Sequence, residues 1–365
     1  MRCRTGEAGM RAGTFNLYNF AEPDKSWYRK SNSYSGSGWT RKKAWISQQL
    51  MRLDADVVGF QEVFAVEELK QLVEQAGYSH FVTAEQPGLS DVDPTIYVRP
   101  VVALASRFPI THFERIGVDA ELVAFFRDAG LLPVAETFAF SRAPLRAVVG
   151  TPDFGEITVY VAHLKSKRPI MDDVEYGDED VDVAAWRLRA ADTMRRISRG
   201  QIAALLQRGA EAAALYARLA DEMTADGDRG VLVMGDLNDN ERSVVLDSLR
   251  MVVHVSEIGE HKRSTWPQGV DASLYDFRFQ DAYDLAPNPG GATRPETYRF
   301  QGEPGVIDYI LVSNAFVERN PDHIGRVARH VVFNDHISHL VGRWDRADKE
   351  ASDHGQVVVD LSATR

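Results

Sequence analysis

Two pairs of polar residues end apolar runs in this sequence, and the members of each pair are two residues apart. Asp236 and Asn238 follow the run 231–234, and His163 and Lys165 end a second run. Residues two apart on an extended chain lie on the same face. A carboxylate, an amide, an imidazole and an ammonium group at strand ends are groups that could bind phosphate and orient water.

Further carboxylate, amide and imidazole groups stand at the ends of other apolar runs. Each has an ordinary structural explanation: a turn-forming amide, a carboxylate at a helix start, a hydrogen-bonded core histidine, or an ion pair. Together they would place several charges near one another, and burying these charges without partners would be costly. A bound divalent cation and a phosphate group would offset that cost. The groups in question are Asn16, Gln61, Glu62, His163, Asp236, Asn238, Asp308, Asp353 and His354.

The elements that must position these residues are short strands and longer amphipathic helices. Their mixture throughout the chain predicts an α/β protein with sheets at the core and helices outside. Helices are expected at about 40–53, 65–76, 183–224 and 241–249, and Gly200 and Gly209 could bend or divide the third. Strands are expected at 11–19, 56–63, 101–107, 145–150, 157–164, 230–237, 308–313 and 355–361.

The length of 365 residues favours one elaborated domain over two complete ones. Residues 1–9 are expected to be a disordered or mis-annotated leader, and residues 10–365 a single domain with loop insertions. These insertions are expected at 23–38, 114–140, 170–182 and 314–352.

The charge and composition limit the partners and the compartment. A net charge of −11 argues against indiscriminate nucleic-acid binding through a basic surface, but it allows a local basic groove or an acidic site for cations. No run reaches the ~18 apolar residues of a membrane helix, and the N-terminus lacks a signal-peptide core. The single cysteine, Cys3, excludes an internal disulfide. We therefore expect a cytoplasmic protein with no membrane association and no stable protein partner.

The polar motifs, taken in order, resemble the endonuclease/exonuclease/phosphatase superfamily, which includes pancreatic deoxyribonuclease, neutral sphingomyelinases and inositol polyphosphate phosphatases. Each motif alone is common, but six in family order across 14–360 are specific. The motifs are "FNLYNF", "VVGFQEVF", "VAHLKSK", "VMGDLND", "VIDYILVS" and "SDHGQVVVDL". The resemblance implies a four-layer α/β/β/α sandwich of two mixed β-sheets flanked by helices, with the site at one end.

The same resemblance implies a metal site. Glu62 would be the main Mg²⁺ ligand, and Asn16 and Asp353 would lie close to the metal and bind it directly or through water. Carboxylate and amide oxygens suit Mg²⁺, which keeps several waters. Mn²⁺ is expected to substitute.

The resemblance also implies catalytic roles for five residues. Asp236 would orient and deprotonate the attacking water, and Asn238 and His163 would hydrogen-bond phosphoryl oxygens. His354 would contact the phosphate, with its ring fixed by Asp308.

Other polar residues near these motifs are predicted to contact the substrate or to shape the backbone. Arg107, Lys165 and Arg146 stand near strand ends and are candidates for substrate phosphate contacts. Asp239 and Asn240 are expected to turn the chain and cap a helix that begins near Glu241.

We therefore predict a Mg²⁺-dependent phosphodiesterase, an endo- or exonuclease with DNA or RNA as substrate. The alternative is a phosphomonoesterase or lipid phosphodiesterase of the inositol phosphate or sphingomyelinase type. A lipid enzyme should carry an apolar membrane-docking hairpin, and the candidate is the segment 123–134. The sequence leaves open the substrate, endo or exo action, the number of metals, the oligomeric state and the role of the acidic segment 170–182.

Overall fold

Strands and helices alternate along the chain in the computed structural model, which describes residues 8–130, 138–171, 182–251, 274–287 and 293–364. The helices of the described residues are α1 Gly36–Leu53, α2 Val66–Gln75, α3 Ala120–Asp128, α4 Val183–Ala225, α5 Val244–Arg250 and α6 Ala282–Leu285, with a 3₁₀ turn at Asn314–Phe316. The strands are β1 Gly9–Phe20, β2 Ser26–Trp27, β3 Val57–Val63, β4 His80–Thr83, β5 Gly88–Leu89, β6 Ile96–Arg99, β7 Val101–Ser106, β8 Ile110–Arg115, β9 Leu145–Thr151, β10 Gly155–His163, β11 Val231–Asp236, β12 Gln280–Asp281, β13 Tyr298–Phe300, β14 Glu303–Gly305, β15 Asp308–Val312, β16 Gly325–Phe333 and β17 Gln356–Ala363.

Two six-stranded sheets form the centre of the described part of the chain. The first has the order β16-β17-β1-β3-β7-β4, and the second has the order β12-β15-β11-β10-β9-β8. Each sheet contains a parallel pair in its middle, β1 with β3 and β10 with β11, among antiparallel neighbours. Strands of a parallel pair end at the same edge of their sheet, so each pair brings two strand ends together.

Alternation along the strands divides the buried side chains into three layers of core. On β10, Val159 and Val161 face the opposite sheet, whereas Tyr160 and Ala162 pack toward α4. A third cluster lies between the first sheet and helices α1 and α2. The predicted sandwich of two mixed sheets flanked by helices is confirmed.

Helix α4 is continuous over 43 residues, so neither Gly200 nor Gly209 divides it. Asp182 caps its start by accepting a hydrogen bond from the backbone N–H of Ala185. A Cβ at Gly200 would lie 2.5 Å from the carbonyl oxygen of Ile170. This glycine therefore permits close contact between the helix and the segment after β10.

Some segments that the sequence predicts as loops contain regular structure. The predicted loop 314–352 includes β16, an edge strand that pairs with β17. Its polar residues and half-buried positions interrupt the apolar alternation, which is why the sequence conceals it. Helix α3 lies inside the predicted loop 114–140. Of the predicted acidic loop 170–182, residues 172–181 lie outside the described residues.

The start of the chain is described from residue 8, so residues 1–7 of the predicted leader lie outside the described residues. Gly9 already belongs to β1 and pairs with Ser362 of β17. No helix in the described ranges is both long and apolar enough to cross a membrane.

Candidate active site

The face that each central strand turns toward the opposite sheet ends in a polar side chain. On β10 this face carries Val159, Val161 and then His163, and on β11 it carries Met234 and then Asp236. Because residues two apart share a face, the polar groups gather where the core between the sheets ends. Four such side chains are nearly fully buried: Asn16 1 %, His163 2 %, Asp236 2 % and Asp308 1 % exposed.

Asp236 lies at the centre of this group. One of its carboxylate oxygens, Oδ2, accepts a hydrogen bond of 3.2 Å from Asn16 Nδ2, which joins the two sheets. The same oxygen lies 3.4 Å from His163 Nε2 and 3.9 Å from His354 Nε2. The other oxygen accepts the backbone N–H of Asn238 at 2.9 Å.

The environment of Asp236 raises its pKa to about 7. Burial is the largest cause, and the carboxylates of Asp308 and Glu62 add to it, while His354 opposes it. A carboxylate with a pKa near neutrality can accept a proton from water and still be ionised at physiological pH.

His354 and Asp308 form a buried pair beside Asp236. Both carboxylate oxygens of Asp308 face His354 Nδ1, at 2.9 and 3.1 Å. Burial lowers the pKa of His354, but the carboxylates of Asp308, Asp353 and Asp236 outweigh burial and raise it well above its ordinary value. The imidazolium is therefore the stable form, and its Nε2 lies between Asp236 and Asp353.

Two loops fix the backbone around this pair. The hydroxyl of Thr297 accepts the backbone N–H of Asp308 at 3.1 Å. The hydroxyl of Ser352 accepts the backbone N–H of His354 at 3.0 Å, and it donates to the carbonyl oxygen of Asn16 at 2.8 Å. The ring of Tyr298 covers His354 at 5.0 Å between centroids.

Two of the predicted site residues, Glu62 and Asn238, have left-handed backbone conformations, with φ values of 60° and 54°. Non-glycine residues adopt this conformation rarely and at a cost, and such residues cluster at functional sites. Glu62 Oε2 accepts the backbone N–H of Asn19 at 2.7 Å. The amide nitrogen of Asn238 donates to the carbonyl oxygen of Leu164 at 3.0 Å.

The acidic groups of the site fit a divalent cation. Among the described residues, Asp236, Asp308 and His354 place ligand atoms within 4.8 Å of one another, although Asp308 already holds the His354 ring. Asp353 Oδ1 is buried and accepts no hydrogen bond from the described residues, and burial together with Glu62 raises the pKa of Asp353 to about 6. An unpartnered buried oxygen among carboxylates is an arrangement that a cation would stabilise.

His163 completes the buried cluster as a neutral ring. Burial lowers its pKa well below the ordinary value, and the nearby guanidinium of Arg142 lowers it further. Arg142 Nε donates to the carbonyl oxygen of His163 at 3.0 Å, so it fixes the end of β10. A neutral imidazole can donate one hydrogen bond and accept another.

The three basic candidates occupy different places. Lys165 follows β10 beside the cluster, and burial together with Arg142 lowers its pKa to about 8. Its ammonium group donates to Ser166 Oγ at 3.2 Å.

The structure does not bring Arg107 and Arg146 to the cluster. Arg107 follows Ser106, which pairs with Val57 at the opposite end of β3, and it forms an ion pair of 3.0 Å with Asp54. Arg146 points away from the space between the sheets and forms an ion pair of 2.7 Å with Glu222 of α4. Strand direction and register decide where Arg107 and Arg146 lie, and a single sequence motif reveals neither strand direction nor register.

Helix α4 supplies a buried carboxylate that sequence reasoning does not assign to the site. Glu211 is fully buried and accepts the backbone N–H groups of Ser141 at 2.7 Å and Lys165 at 2.6 Å. It thereby joins the segments before β9 and after β10. The sequence signal that could have found Glu211 is its spacing, because a charged residue here shares the apolar face of the helix with Ala204 and Leu215.

The prediction for Asp239 is wrong in one respect. Asp239 is buried and forms an ion pair of 2.9 Å with Arg208 of α4. The following helix begins at Val244, and its cap is Ser243. Asp239 therefore anchors the turn after β11 to α4 and caps no helix.

One known family matches the sequence over nearly its whole length. A profile of the Endonuclease/Exonuclease/phosphatase family matches residues 13–354. The chain belongs to the endonuclease/exonuclease/phosphatase family. The resemblance on which the predicted fold rests is confirmed, and the members of this family are phosphoric ester hydrolases.

Solved structures share the fold at low sequence identity. An endonuclease/exonuclease/phosphatase family protein from Bacteroides thetaiotaomicron is 17 % identical, with a TM-score of 0.51 over 98 % of this chain and 99 % of that one. The human Nocturnin catalytic domain with bound sulfate is 16 % identical, with a TM-score of 0.51 over 98 % and 95 %. Truncated Caenorhabditis elegans TDP2 is 13 % identical, with a TM-score of 0.50 over 97 % of each chain. No curated protein matches the sequence.

Proposed function

We propose that this family member is a Mg²⁺-dependent phosphodiesterase that hydrolyses DNA or RNA by direct attack of water. The observation that carries the proposal is Asp236, which is buried between two histidines, has a pKa raised to about 7 and lies next to the His354–Asp308 pair. A base, a protonated acid and a cluster of oxygen ligands at one point are what hydrolysis of an anionic ester requires.

Asp236 accepts the proton of the attacking water in this proposal. Asn16 donates to one of its oxygens and the backbone N–H of Asn238 donates to the other, so the carboxylate cannot rotate. A fixed carboxylate holds the water in line with the phosphorus atom, and this orientation lowers the entropic part of the barrier.

His354 binds a phosphoryl oxygen through Nε2–H. Asp308 occupies Nδ1 and keeps the ring protonated, so the charge is in place before the substrate arrives. His163 offers a second, neutral donor on the other side of Asp236. Preorganised donors of this kind stabilise the charge that develops in the transition state.

Glu62, Asn16 and Asp353 would hold the metal ion. When bound, Mg²⁺ would neutralise charge on the phosphoryl oxygens, and Mn²⁺ takes the same oxygen ligands. Asp353 Oδ1, which accepts no hydrogen bond from the described residues, is available for such an ion.

An arginine and tyrosines beside the site support a nucleic acid as the substrate. Burial raises the pKa of Tyr18, Tyr28 and Tyr298, and the exposed guanidinium of Arg168 lies near enough to offset part of that rise. Tyr28 as a whole residue is 44 % exposed, and its ring packs against Phe64. A cation beside one exposed and two half-buried tyrosines suits a phosphate backbone and a stacked base, and such a local group is compatible with a net charge of −11.

The proposal is tested with supercoiled plasmid and with single- and double-stranded DNA and RNA oligonucleotides in Mg²⁺. We expect cleavage that stops with EDTA and that is lost in Asp236→Ala. Arg107→Ala is the matched control, because Arg107 lies at the other end of the first sheet and should leave cleavage unchanged. Intact nucleic acid at micromolar enzyme would refute the nuclease proposal.

One observation favours the lipid phosphodiesterase alternative. Phe125 of α3 is 62 % exposed in the segment 123–134, of which residues 131–134 lie outside the described residues. If this segment docks on lipid, liposomes will bind the wild type more strongly than Phe125→Ser, and sphingomyelin or inositol phosphates will be hydrolysed in the same assay panel.

A further inference from the structure

Lys42 of helix α1 is a fully buried lysine behind the acidic cluster. Its Nζ donates to the carbonyl oxygens of Lys349 at 2.8 Å and Ala351 at 2.9 Å. The rings of Tyr34 and Tyr18 face the ammonium group, with centroids 5.3 and 5.7 Å away. Within the described ranges no carboxylate pairs with it at 4 Å, so its burial is expensive and requires an explanation.

Tyr34 extends the same contacts to the end of β1. Its hydroxyl lies 3.1 Å from the carbonyl oxygens of both Tyr18 and Lys349. The carbonyl oxygen of Lys349 therefore contacts both the Lys42 ammonium group and the Tyr34 hydroxyl. The segment 349–353 and the end of β1 are held against α1 by these two side chains.

Two of the proposed metal ligands, Asn16 and Glu62, are tied to this network by hydrogen bonds that involve the backbone. Ser352, which follows Ala351, donates to the carbonyl oxygen of Asn16. Asn19, which follows Tyr18, donates its backbone N–H to the carboxylate of Glu62.

The backbone conformation at the end of β1 explains why such support is needed. Tyr18 and Asn19 both have left-handed conformations, with φ values of 53° and 57°. This strained turn persists only if surrounding contacts hold it.

We propose that Lys42 is a positioning residue that, together with Tyr34, holds Asn16, Glu62 and Asp353 in the arrangement that binds a divalent cation. This inference rests on the proposed metal site, and it identifies the residues that hold the ligands of that site in place before the ion binds. Lys42 touches neither the ion nor the substrate. It acts through the carbonyl groups of the segment that leads into Asp353.

The sign of one measurement separates positioning from simple electrostatics. Where Lys42 is protonated, its buried ammonium group repels a divalent cation, so removing the charge alone would tighten metal binding. Removing a group that orients the ligands would weaken metal binding, and the loss of such supporting contacts typically costs 10–100-fold. The two effects of a Lys42 substitution therefore act in opposite directions.

The test is Mn²⁺ titration followed by electron paramagnetic resonance, without substrate, on wild type and Lys42→Met. Methionine preserves most of the volume and removes the donors. We expect Mn²⁺ to bind about tenfold more weakly, while thermal unfolding confirms that the variant is folded.

The matched control is Arg41→Met. Arg41 pairs with Glu350 at the surface, so it contacts the same segment from outside. Surface pairs contribute little, and we expect Mn²⁺ affinity within about twofold of wild type.

Tyr34→Phe decides the question if Lys42→Met does not fold. It removes only the hydroxyl that joins Tyr18 to Lys349, and it should weaken Mn²⁺ binding by about threefold, roughly the worth of one hydrogen bond. Unchanged or tighter Mn²⁺ binding in the folded variants would overturn the positioning role and leave the proposed phosphodiesterase intact. A wild type that binds no Mn²⁺ would instead remove the metal site and this inference with it.

Discussion

Replacing Asp236 by Asn should make the metal-free protein more stable while abolishing its activity. The carboxylate is 2 % exposed and lies among other acidic groups, and its pKa is raised from 3.8 to about 7. Because the folded pKa exceeds the unfolded one, the stability that this group contributes is fully present below about pH 4. It is lost as the pH rises through about 7.

The size of the effect follows from the two pKa values. A difference of about 3 pH units corresponds to about 4 kcal/mol of destabilisation at pH 8, where the buried group is ionised. Asparagine keeps one acceptor but leaves one donor, Asn16 Nδ2 or the Asn238 N–H, without a partner, which costs about 1–3 kcal/mol. The net stabilisation at pH 8 should be on the order of 2 kcal/mol.

The assay is urea unfolding of wild type and Asp236→Asn in EDTA at pH 8 and pH 4. At pH 4 the wild-type carboxyl is neutral, so only the hydrogen-bonding cost remains and the variant should be the less stable of the two. The change of sign between the two pH values isolates the carboxylate from other titrating groups. A variant that is less stable at both pH values would show that Asp236 is not held as a destabilised anion.

Three further outcomes follow from the same geometry. Asp308→Asn removes the carboxylate that keeps His354 protonated, so kcat/KM should fall roughly 100-fold. Because the pKa of His354 drops in this variant, the loss should be larger at pH 8 than at pH 6. A pH profile of kcat/KM with an unchanged basic limb would contradict this. Arg107→Ala should leave kcat/KM within about twofold of wild type and lower the free energy of unfolding by at most about 2 kcal/mol, since it breaks the pair with Asp54 and the contact with the Tyr78 ring; steady-state kinetics and urea unfolding check both. Mg²⁺ at about 100 times its Kd should raise the free energy of unfolding by about 2.7 kcal/mol, and equal stability in Mg²⁺ and EDTA would exclude binding to the folded state.

The sequence predicts which residues meet because a strand has a period of two. Asp236 continues the face of Met234, and His163 continues the face of Val161, so two apolar patterns already indicate where the polar ends point. The parallel pairing of β10 with β11, which brings these strand ends together and sets His163 in register with Asp236, comes from the structure and not from the apolar patterns.

Other contacts could not be predicted because they depend on partners distant in the chain. The sequence around Asp239 indicates a turn residue, and its ion pair with Arg208 of α4, 31 residues away in the chain, is visible only in the structure. Arg146 stands on a predicted strand, but the face that it occupies depends on which side α4 covers. Lys42 looks like a surface charge in a basic run, and only the carbonyl groups of 349 and 351 explain its burial.

The position of β17 has a consequence for how the protein is made. This strand lies inside the first sheet, between β16 and β1, and it pairs residue 362 with residue 9. During synthesis, β1 therefore remains without this antiparallel neighbour until Gln356–Ala363 has left the ribosome, and His354 emerges just before that strand. A nascent chain stopped before residue 354 lacks both the imidazolium and the strand that closes the space between the sheets. Hydrolytic competence and completion of the sheet should consequently appear together, within a few residues of translation.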